Sequence, residues 1–347
     1  MKKTGKVSQA VLDRSVLRPL SKAGVLQEKG PAFGKDWGNP SAEQRVFPIG
    51  EGEPKHRNTR TASVCGTLGG SCDRDERMFL ATVVNNLAVA GAKTESMMLT
   101  LLFPSDREEE ELKRILEKTG AWCAAQQIVV AGGHTEVSGA VSRPVLSVTG
   151  FGTVQRDMNE QTEGLKPRQD LVMAGWAGMA GTAILAGNRE QELAERYPFS
   201  IIDAARELGD RILITDAARE GAAFGVSAMH DVSQGGIFAA LWEMAEYGGV
   251  GLEVDLKKIP IRQETIEICE FFDLNPYQLY GQGALLMGTS RGEALAQHLS
   301  SRGIPAALIG HTTAENDRIL RNGEDMRYLD RPAQDALWVL SDRNNSS

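Results

Sequence analysis

The spacing of apolar residues changes repeatedly between helical and strand-like periods, which predicts a mixed α/β chain. In the first half it predicts helices over 78–92 and 106–127 and strands over 96–103, 128–131 and 144–154. In the second half it predicts strands over 171–174, 251–254, 284–287 and 306–309 and helices near 179–186, 200–208, 212–224, 236–247, 263–272 and 292–301. Interleaved helices and strands are typical of α/β and α+β domains.

Two polar stretches interrupt this pattern. Residues 29–75 are rich in Gly, Pro, Asn, Arg and Ser, which predicts a long loop, and a shorter polar stretch covers 157–169. A chain of 347 residues exceeds the length of about 250–300 at which a single core usually stops growing. We therefore expect one domain over 1–157, a linker over 158–167 and a second domain over 168–341.

The net charge of −8 disfavours nucleic acid as a partner, because an acidic chain repels a phosphate backbone. Polar residues interrupt every apolar stretch well before the ~20 positions that a membrane-spanning helix needs. The lysines at the N-terminus are not followed by the apolar segment of a secretory signal. The four cysteines form no CxxC pair, so reduced thiols in a cytoplasmic protein are expected.

A first candidate motif, Ala131-Gly132-Gly133-His134-Thr135-Glu136-Val137, follows a predicted strand. Adjacent glycines allow a close approach of the backbone to a ligand and can present amide N–H groups to an anion. His134, Thr135 and Glu136 add an imidazole, a hydroxyl and a carboxylate. The alternative is a tight turn with polar residues at the surface.

A second candidate motif, His230-Asp231-Val232-Ser233-Gln234-Gly235-Gly236, precedes a predicted helix. Paired glycines at the start of a helix are typical of anion sites, because the first backbone N–H groups have no partner within the helix. Asp231 and Ser233 are suited to hold a metal ion, or simply to cap the helix.

A third glycine-rich string, Gly175-Trp176-Ala177-Gly178-Met179-Ala180-Gly181-Thr182, lies between a predicted strand and a predicted helix. It loosely resembles a dinucleotide-binding turn. The spacing is not GxGxxG and no suitable acid follows at the required distance, so we reject a Rossmann assignment.

The order and flanks of these motifs resemble the superfamily of aminoimidazole ribonucleotide (AIR) synthase, the hydrogenase-maturation protein HypE, selenophosphate synthetase and thiamine-monophosphate kinase. The likeness is greatest to HypE-like, AIR synthase-related proteins and extends over residues 6–340. It rests on the strings 34–36, 85–92, 99–104, 132–137, 181–186, 230–246 and 332–338.

The resemblance implies a PurM-like fold of two α+β domains, in which the N-terminal domains of two chains pair into a β-barrel. It further implies a homodimer that binds ATP and Mg²⁺ in the cleft between domains, for phosphoryl transfer to a small substrate. The residues it assigns to catalysis are His134, Glu136 and Asp231. Those it assigns to cofactor binding are Gly132, Gly133, Thr135, Asn86, Ser233, Gly235 and Gly236, and those it assigns to the metal are Asp36 and Asp231.

The chain departs from the superfamily where magnesium-binding acids are expected. Asp36 matches the first of three acidic positions, whereas Ala62 and Asn86 stand at the other two. Mg²⁺ prefers hard anionic oxygen ligands, so these replacements put both ATP and magnesium in question. Asp73 and Asp75 are alternative ligands. The basic residues of 50–75 are either phosphate contacts or part of a solvated loop.

Two functions therefore remain open on the sequence. One is an ATP-dependent enzyme acting on a small molecule, and the other is a non-catalytic dimer that binds a nucleotide or metabolite. The C-terminal cysteine that carries the carbamoyl group in hydrogenase maturation has no counterpart here. Cys65 and Cys72 are interpreted as inert thiols, because no neighbouring group that would lower a thiol pKa is evident.

Overall fold

A computed structural model describes residues 44–47, 59–67, 76–155 and 164–344. The predictions for Asp36, Asp73, Asp75 and the basic residues 55–57 lie outside these ranges. The described chain forms two compact units, one ending by Asn159 and the other starting after it. The domain limits inferred from the sequence stay a prediction. The mixed α/β class is confirmed.

The first unit is a five-stranded sheet with two helices. Its strands are β1 (Gln44–Phe47), β2 (Thr59–Thr67), β3 (Ala92–Phe103), β4 (Val129–Val137) and β5 (Val145–Gln155), and its helices are α1 (Glu76–Val89) and α2 (Glu109–Ala125). The strand order is β1-β2-β5-β3-β4, and β3 and β4 run parallel. Alternate residues of β3 are buried, with Met97, Leu99 and Leu101 on the covered face.

The prediction of one long loop over 29–75 is wrong where β1 and β2 form. β2 pairs with β5 along its whole length, from Thr59 opposite Gln155 to Thr67 opposite Ser147. Its sequence, TRTASVCGT, has few large apolar residues, so local periodicity gives only a weak strand signal. The partner strand lies some ninety positions further along the chain, and that pairing satisfies the backbone hydrogen bonds of β2.

Two further predictions in this unit are wrong at element ends. Gly132 and Gly133 do not end the strand, since β4 continues through them to Val137 and pairs with β3. Helix α2 begins at Glu109 with Glu108 at the N-cap, and not at the predicted position 106. The first turn of α2 is acidic, and its carboxylates interact favourably with the helix dipole.

The second unit is a seven-stranded sheet with eight helices among the described residues. Its strands are β6 (Asp170–Ala174), β7 (Ala228–Val232), β8 (Gly251–Asp255), β9 (Ala284–Thr289), β10 (Ala306–Thr313), β11 (Arg318–Asn322) and β12 (Asp325–Tyr328). Its helices are α3 (Met179–Asn188), α4 (Glu190–Ala194), α5 (Phe199–Glu207), α6 (Thr215–Phe224), α7 (Gly236–Gly248), α8 (Gln263–Phe271), α9 (Gly292–Ser301) and α10 (Ala336–Asn344). The strand order is β12-β11-β8-β10-β6-β9-β7.

The core of this unit forms between the sheet and α7. Ile237, Leu241 and Ala245 of α7 are buried in one cluster with residues such as Met173 and Leu286 of the central strands. This packing holds the N-terminus of α7 at the end of β7. None of the described helices has the length and apolar character needed to cross a bilayer.

Candidate functional site

The first motif lies on β4, the exposed edge strand of the first sheet. His134 and Glu136 are two residues apart and therefore project from the same face, where His134 Nε2 lies 3.3 Å from Glu136 Oε2. Both side chains are more than half exposed, at 65% and 52%. Ion pairs this exposed add little stability. The catalytic roles of His134 and Glu136 stay predictions.

Gly133 has a packing role that Gly132 lacks. A Cβ at Gly133 would lie 1.9 Å from the backbone oxygen of Leu99, whereas a Cβ at Gly132 would meet nothing within 4 Å. The glycine at 133 thus lets β4 approach β3 closely. Thr135, the next residue, is exposed. The roles of Gly132, Gly133 and Thr135 in cofactor binding stay predictions.

Asn86 lies on α1, a helix that packs on the sheet of the first unit. Its side chain is 6% exposed, and neighbouring Asn85 is 1% exposed. A carboxylate so deeply buried would require a cation or several hydrogen bonds to compensate for lost hydration. The neutral amide at position 86 carries no such requirement.

The second motif begins on β7, which sequence periodicity did not predict as a strand. His230 is 7% exposed, its Nδ1 lies 2.5 Å from the backbone oxygen of Asp231, and its Nε2 lies 3.3 Å from Glu243 Oε2 of α7. Burial favours the neutral imidazole, but the carboxylates of Glu243 and Asp231 outweigh it and raise the pKa of His230. His230 therefore ties β7 to α7, while Asp231 and Ser233 follow at the end of the strand.

The glycine pair of the second motif is already engaged within the chain. Gly235 N–H donates to Asp335 Oδ2 at 2.6 Å, and Gly236 N–H donates to the Ser233 backbone oxygen at 3.1 Å. A Cβ at Gly236 would lie 2.5 Å from the Tyr277 backbone oxygen. The structure thus gives these two glycines a role in packing and capping, and their role in cofactor binding stays a prediction.

Asp335 is a residue that sequence reasoning missed. It is 4% exposed and also accepts the Leu337 N–H at 2.9 Å, so one carboxylate caps the N-termini of both α7 and α10. Burial raises its pKa to about 6, against the hydrogen bonds from the Gly235, Leu337 and Tyr280 backbones that lower it. The only sequence signal was that it falls within the resembling string 332–338.

The second motif extends past the end of β7 and the third motif follows β6, and both leave the seven-stranded sheet at the same end. β6 and β7 both pair antiparallel with β9, with Ala174 opposite Leu285 and Val232 opposite Ala284. The strands β6 and β7 therefore run in the same direction, and the turns that follow them leave the sheet on the same side.

The segment 280–283 connects these two turns. Gly281 N–H donates to the Ser233 backbone oxygen at 3.1 Å, and Gly181 N–H donates to the Tyr280 backbone oxygen at 2.8 Å. Gln282, within this segment, is 2% exposed. Sequence reasoning missed it, although Gly281-Gln282-Gly283 directly before a strand was a usable signal.

Within the described ranges, histidine, cysteine, aspartate and glutamate side chains form no group of three or more suited to a metal ion. Asp231 thus has no described acidic partners sufficient for magnesium, and Asp36 lies outside the described residues. The described residues alone do not fit a magnesium centre, and the metal-ligating roles of Asp36 and Asp231 stay predictions.

Two family models match the chain, one for each unit. Residues 77–154 match the AIR synthase related protein N-terminal domain, and residues 169–321 match the corresponding C-terminal domain. Together they cover about two thirds of the chain. The chain belongs to the AIR synthase-related family. The resemblance drawn from the motifs is thereby confirmed.

Relatives and solved structures agree with this family assignment. A hydrogenase expression/formation protein of Methanocaldococcus jannaschii is 29% identical over 268 residues, which is 75% of this chain and 77% of that protein. HypE in complex with ATP superposes with a TM-score of 0.62 at 16% identity, covering 96% of this chain and 97% of that one. AaThiL complexed with AMPPCP and TMP gives 0.65 at 16%, covering 92% and 97%. At such low identity the structures establish the fold, and the PurM-like class is confirmed.

Proposed function

We propose that this AIR synthase-related protein binds ATP or another phosphorylated ligand at the end of β7, where Asp231 and Ser233 leave the sheet. The observation that carries the proposal is that β6 and β7 end on the same side of the sheet. Two glycine-rich turns and the segment 280–283 converge there through backbone hydrogen bonds. Structures of the same fold are known in complex with ATP and with AMPPCP, which supports a nucleotide as the ligand.

Ser233 is the best placed donor at this edge. Its backbone oxygen accepts both Gly236 N–H and Gly281 N–H at 3.1 Å, which fixes the residue between the two turns. Its hydroxyl forms no side-chain hydrogen bond with the rest of the described chain, so the group is available to a phosphate oxygen. Asp231, two residues earlier in the sequence and on β7, adds a carboxylate at the same end of the strand.

Phosphoryl transfer to a small substrate is the activity we assign to the bound nucleotide. The residues proposed for proton transfer are His134, Glu136 and Asp231. The exposed imidazole–carboxylate pair on β4 is chemically suited to accept a proton from a substrate hydroxyl or amine. No step is assigned to magnesium, because the described residues do not form its site.

A second candidate function is binding without catalysis. Ala62 and Asn86 at the positions of expected acids favour it, since both are neutral. In this account the chain holds a nucleotide or metabolite and transfers no group. The two accounts differ in their dependence on a divalent cation.

Thermal unfolding with ATP, in the presence of Mg²⁺ or of EDTA, separates these accounts. A ligand that binds only the folded chain raises its melting temperature by mass action. Enzymatic phosphoryl transfer predicts a rise that Mg²⁺ enlarges. Binding without catalysis predicts an equal rise in EDTA, and the absence of any rise with ATP contradicts both.

We also propose that the protein is a homodimer formed through β4. Val129, Val130 and Val137 are 64%, 44% and 62% exposed on this edge strand. An edge strand with exposed valines presents unpaired backbone N–H and C=O groups together with apolar surface, which favours pairing with another strand. A second copy of the same edge is the partner implied by the family resemblance.

A further inference from the structure

The third glycine-rich string carries an aromatic and cationic cluster that the proposed nucleotide site does not use. The Cζ atoms of Arg211 and Arg262 lie 5.8 Å and 5.4 Å from the centroid of the Trp176 ring. Both distances are within the range of a cation–π contact. One indole ring thus holds two guanidinium groups close together.

The charges of this cluster are only partly compensated. Arg262 forms a bidentate pair with Glu264, with Nε to Oε2 at 3.1 Å and Nη2 to Oε1 at 3.0 Å. Arg211 is exposed and has no carboxylate partner among residues of the described ranges. The cluster therefore keeps a net positive charge on a chain whose net charge is −8. A small anion bound there would relieve the repulsion between the two cations.

The cluster is held rigidly by its surroundings. Trp176 is partly buried and packs against Met179, Ala183 and Leu208. Ala177 N–H donates to the Pro260 backbone oxygen at 2.9 Å, which fixes the loop that carries Trp176 beside the segment that carries Arg262. A fixed ring and tethered guanidinium groups reduce the entropy that ligand binding must overcome.

The cluster also lies at the same sheet edge as Ser233. A Cβ at Gly283 would be 2.8 Å from the Arg211 backbone oxygen, and a Cβ at Gly175 would be 2.6 Å from the Gly283 backbone oxygen. Two residues before Gly283, the Gly281 N–H bonds to Ser233. One short segment therefore connects the cationic cluster to the proposed phosphate site.

We propose that Trp176, Arg211 and Arg262 bind the anionic group of the second substrate, a small acid that carries a phosphate or a carboxylate. This inference rests on the proposed function, because it places a substrate beside the nucleotide. Guanidinium groups match the planar, multi-oxygen geometry of both anions. The indole ring adds an apolar surface for the carbon skeleton of the acid.

The test uses three aromatic probes of similar size and the full chain. Phenyl phosphate and benzoate carry the two anions, and benzamide is the neutral counterpart of benzoate. Binding is followed by ligand-observed NMR titration. We expect phenyl phosphate or benzoate to bind and benzamide to bind at least about tenfold more weakly, because charge-assisted hydrogen bonds are lost. The anion that binds more tightly identifies the substrate as a phosphate or a carboxylate.

Variants locate the binding. Arg211→Gln should weaken binding of the preferred anion about tenfold. The matched control is Arg219→Gln, which removes another exposed arginine, one that pairs with Asp216 on α6, and it should leave the affinity unchanged. Trp176→Phe keeps an aromatic ring and should retain most of the affinity, whereas Trp176→Leu should lose it. Equal affinities for the preferred anion and for benzamide, or an unchanged affinity in Arg211→Gln, would overturn the inference.

Titration of ATP into the same proteins separates this inference from the proposed function. ATP binding without Arg211-dependent binding of either anionic probe refutes the cationic cluster alone. Arg211-dependent probe binding without ATP binding refutes the nucleotide site and leaves the cluster standing. Failure of both refutes both.

Discussion

Gly133 can be explained either by ligand binding or by strand packing. Its sequence context suggested a turn that exposes amides to an anion. In the structure its missing side chain instead allows the Leu99 backbone oxygen to approach within 1.9 Å of where a Cβ would lie. The requirement for glycine at 133 is explained by strand packing alone, so it gives no evidence for or against a ligand.

Gly133→Ala and Gly132→Ala should differ sharply although the two positions are adjacent. The first places a methyl group against the backbone of β3, so we expect a loss of roughly 2–4 kcal/mol in the free energy of unfolding. The second meets open space and should change stability by less than about 1 kcal/mol. Urea denaturation measures both. Equal losses in the two variants would contradict the register of β3 and β4.

At the scale of elements, the sequence predicted best where local periodicity and packing agree. Helix α9 spans Gly292–Ser301, as its apolar spacing indicates, and buries Leu295 and Leu299. Strands β2, β11 and β12 were missed because they are short of apolar residues and depend on partners elsewhere in the chain. The spacing of apolar residues within a segment carries no information about which distant strand that segment will pair with.

Contacts in the candidate site also differ in whether local spacing predicts them. The pairing of His134 with Glu136 follows from their spacing on one strand, so sequence reasoning could place them together. Asp335 bonds to Gly235, which is 100 positions earlier, and no local pattern predicts that contact. Gln282 was likewise brought to the site by the course of the chain between α8 and β9.

The joint cap of α7 and α10 by Asp335 predicts a pH-dependent stability. The pKa of Asp335 is raised from 3.8 to about 6 in the folded chain, so the folded state holds this proton more tightly than the unfolded state. Its stabilising contribution is present below pH ~4 and is lost as the pH rises through about 6. Asp335→Asn lacks this proton, so its stability relative to wild type should rise by about 2 kcal/mol between pH 4.5 and 7.5.

Chemical denaturation at several pH values provides the measurement, with Asp330→Asn as the control. Asp330 is exposed and lies five residues away, so its substitution removes one negative charge and leaves the buried cap in place. A stability difference between Asp335→Asn and wild type that does not vary with pH would show that the carboxylate is not buried as described.

At the scale of the whole molecule, the exposed valines of β4 bear on assembly. Apolar side chains on an unpaired edge strand favour aggregation of a monomer, and pairing with a second chain covers them. Val130 is 44% exposed in the isolated chain, so a charge there should be tolerated by the monomer and disfavoured in a strand-paired dimer.

Sedimentation analysis of Val130→Lys tests the homodimer. Wild type should sediment with the mass of two chains, and the variant should shift toward the mass of one. Met326→Lys, which places the same charge at a 55% exposed position of the second unit, should remain dimeric. A monomeric wild type, or a dimeric Val130→Lys, would contradict pairing through β4.

The most direct test of the central claim is the equilibrium affinity of ATP for wild type, Ser233→Ala and Ser300→Ala, measured by isothermal titration calorimetry. The account predicts saturable binding of ATP to wild type, a loss of about tenfold in Ser233→Ala because one phosphate hydrogen bond is removed, and no change in Ser300→Ala, whose serine is exposed on α9. Absence of saturable binding to wild type, or equal affinities for wild type and Ser233→Ala, would contradict a nucleotide site at the end of β7.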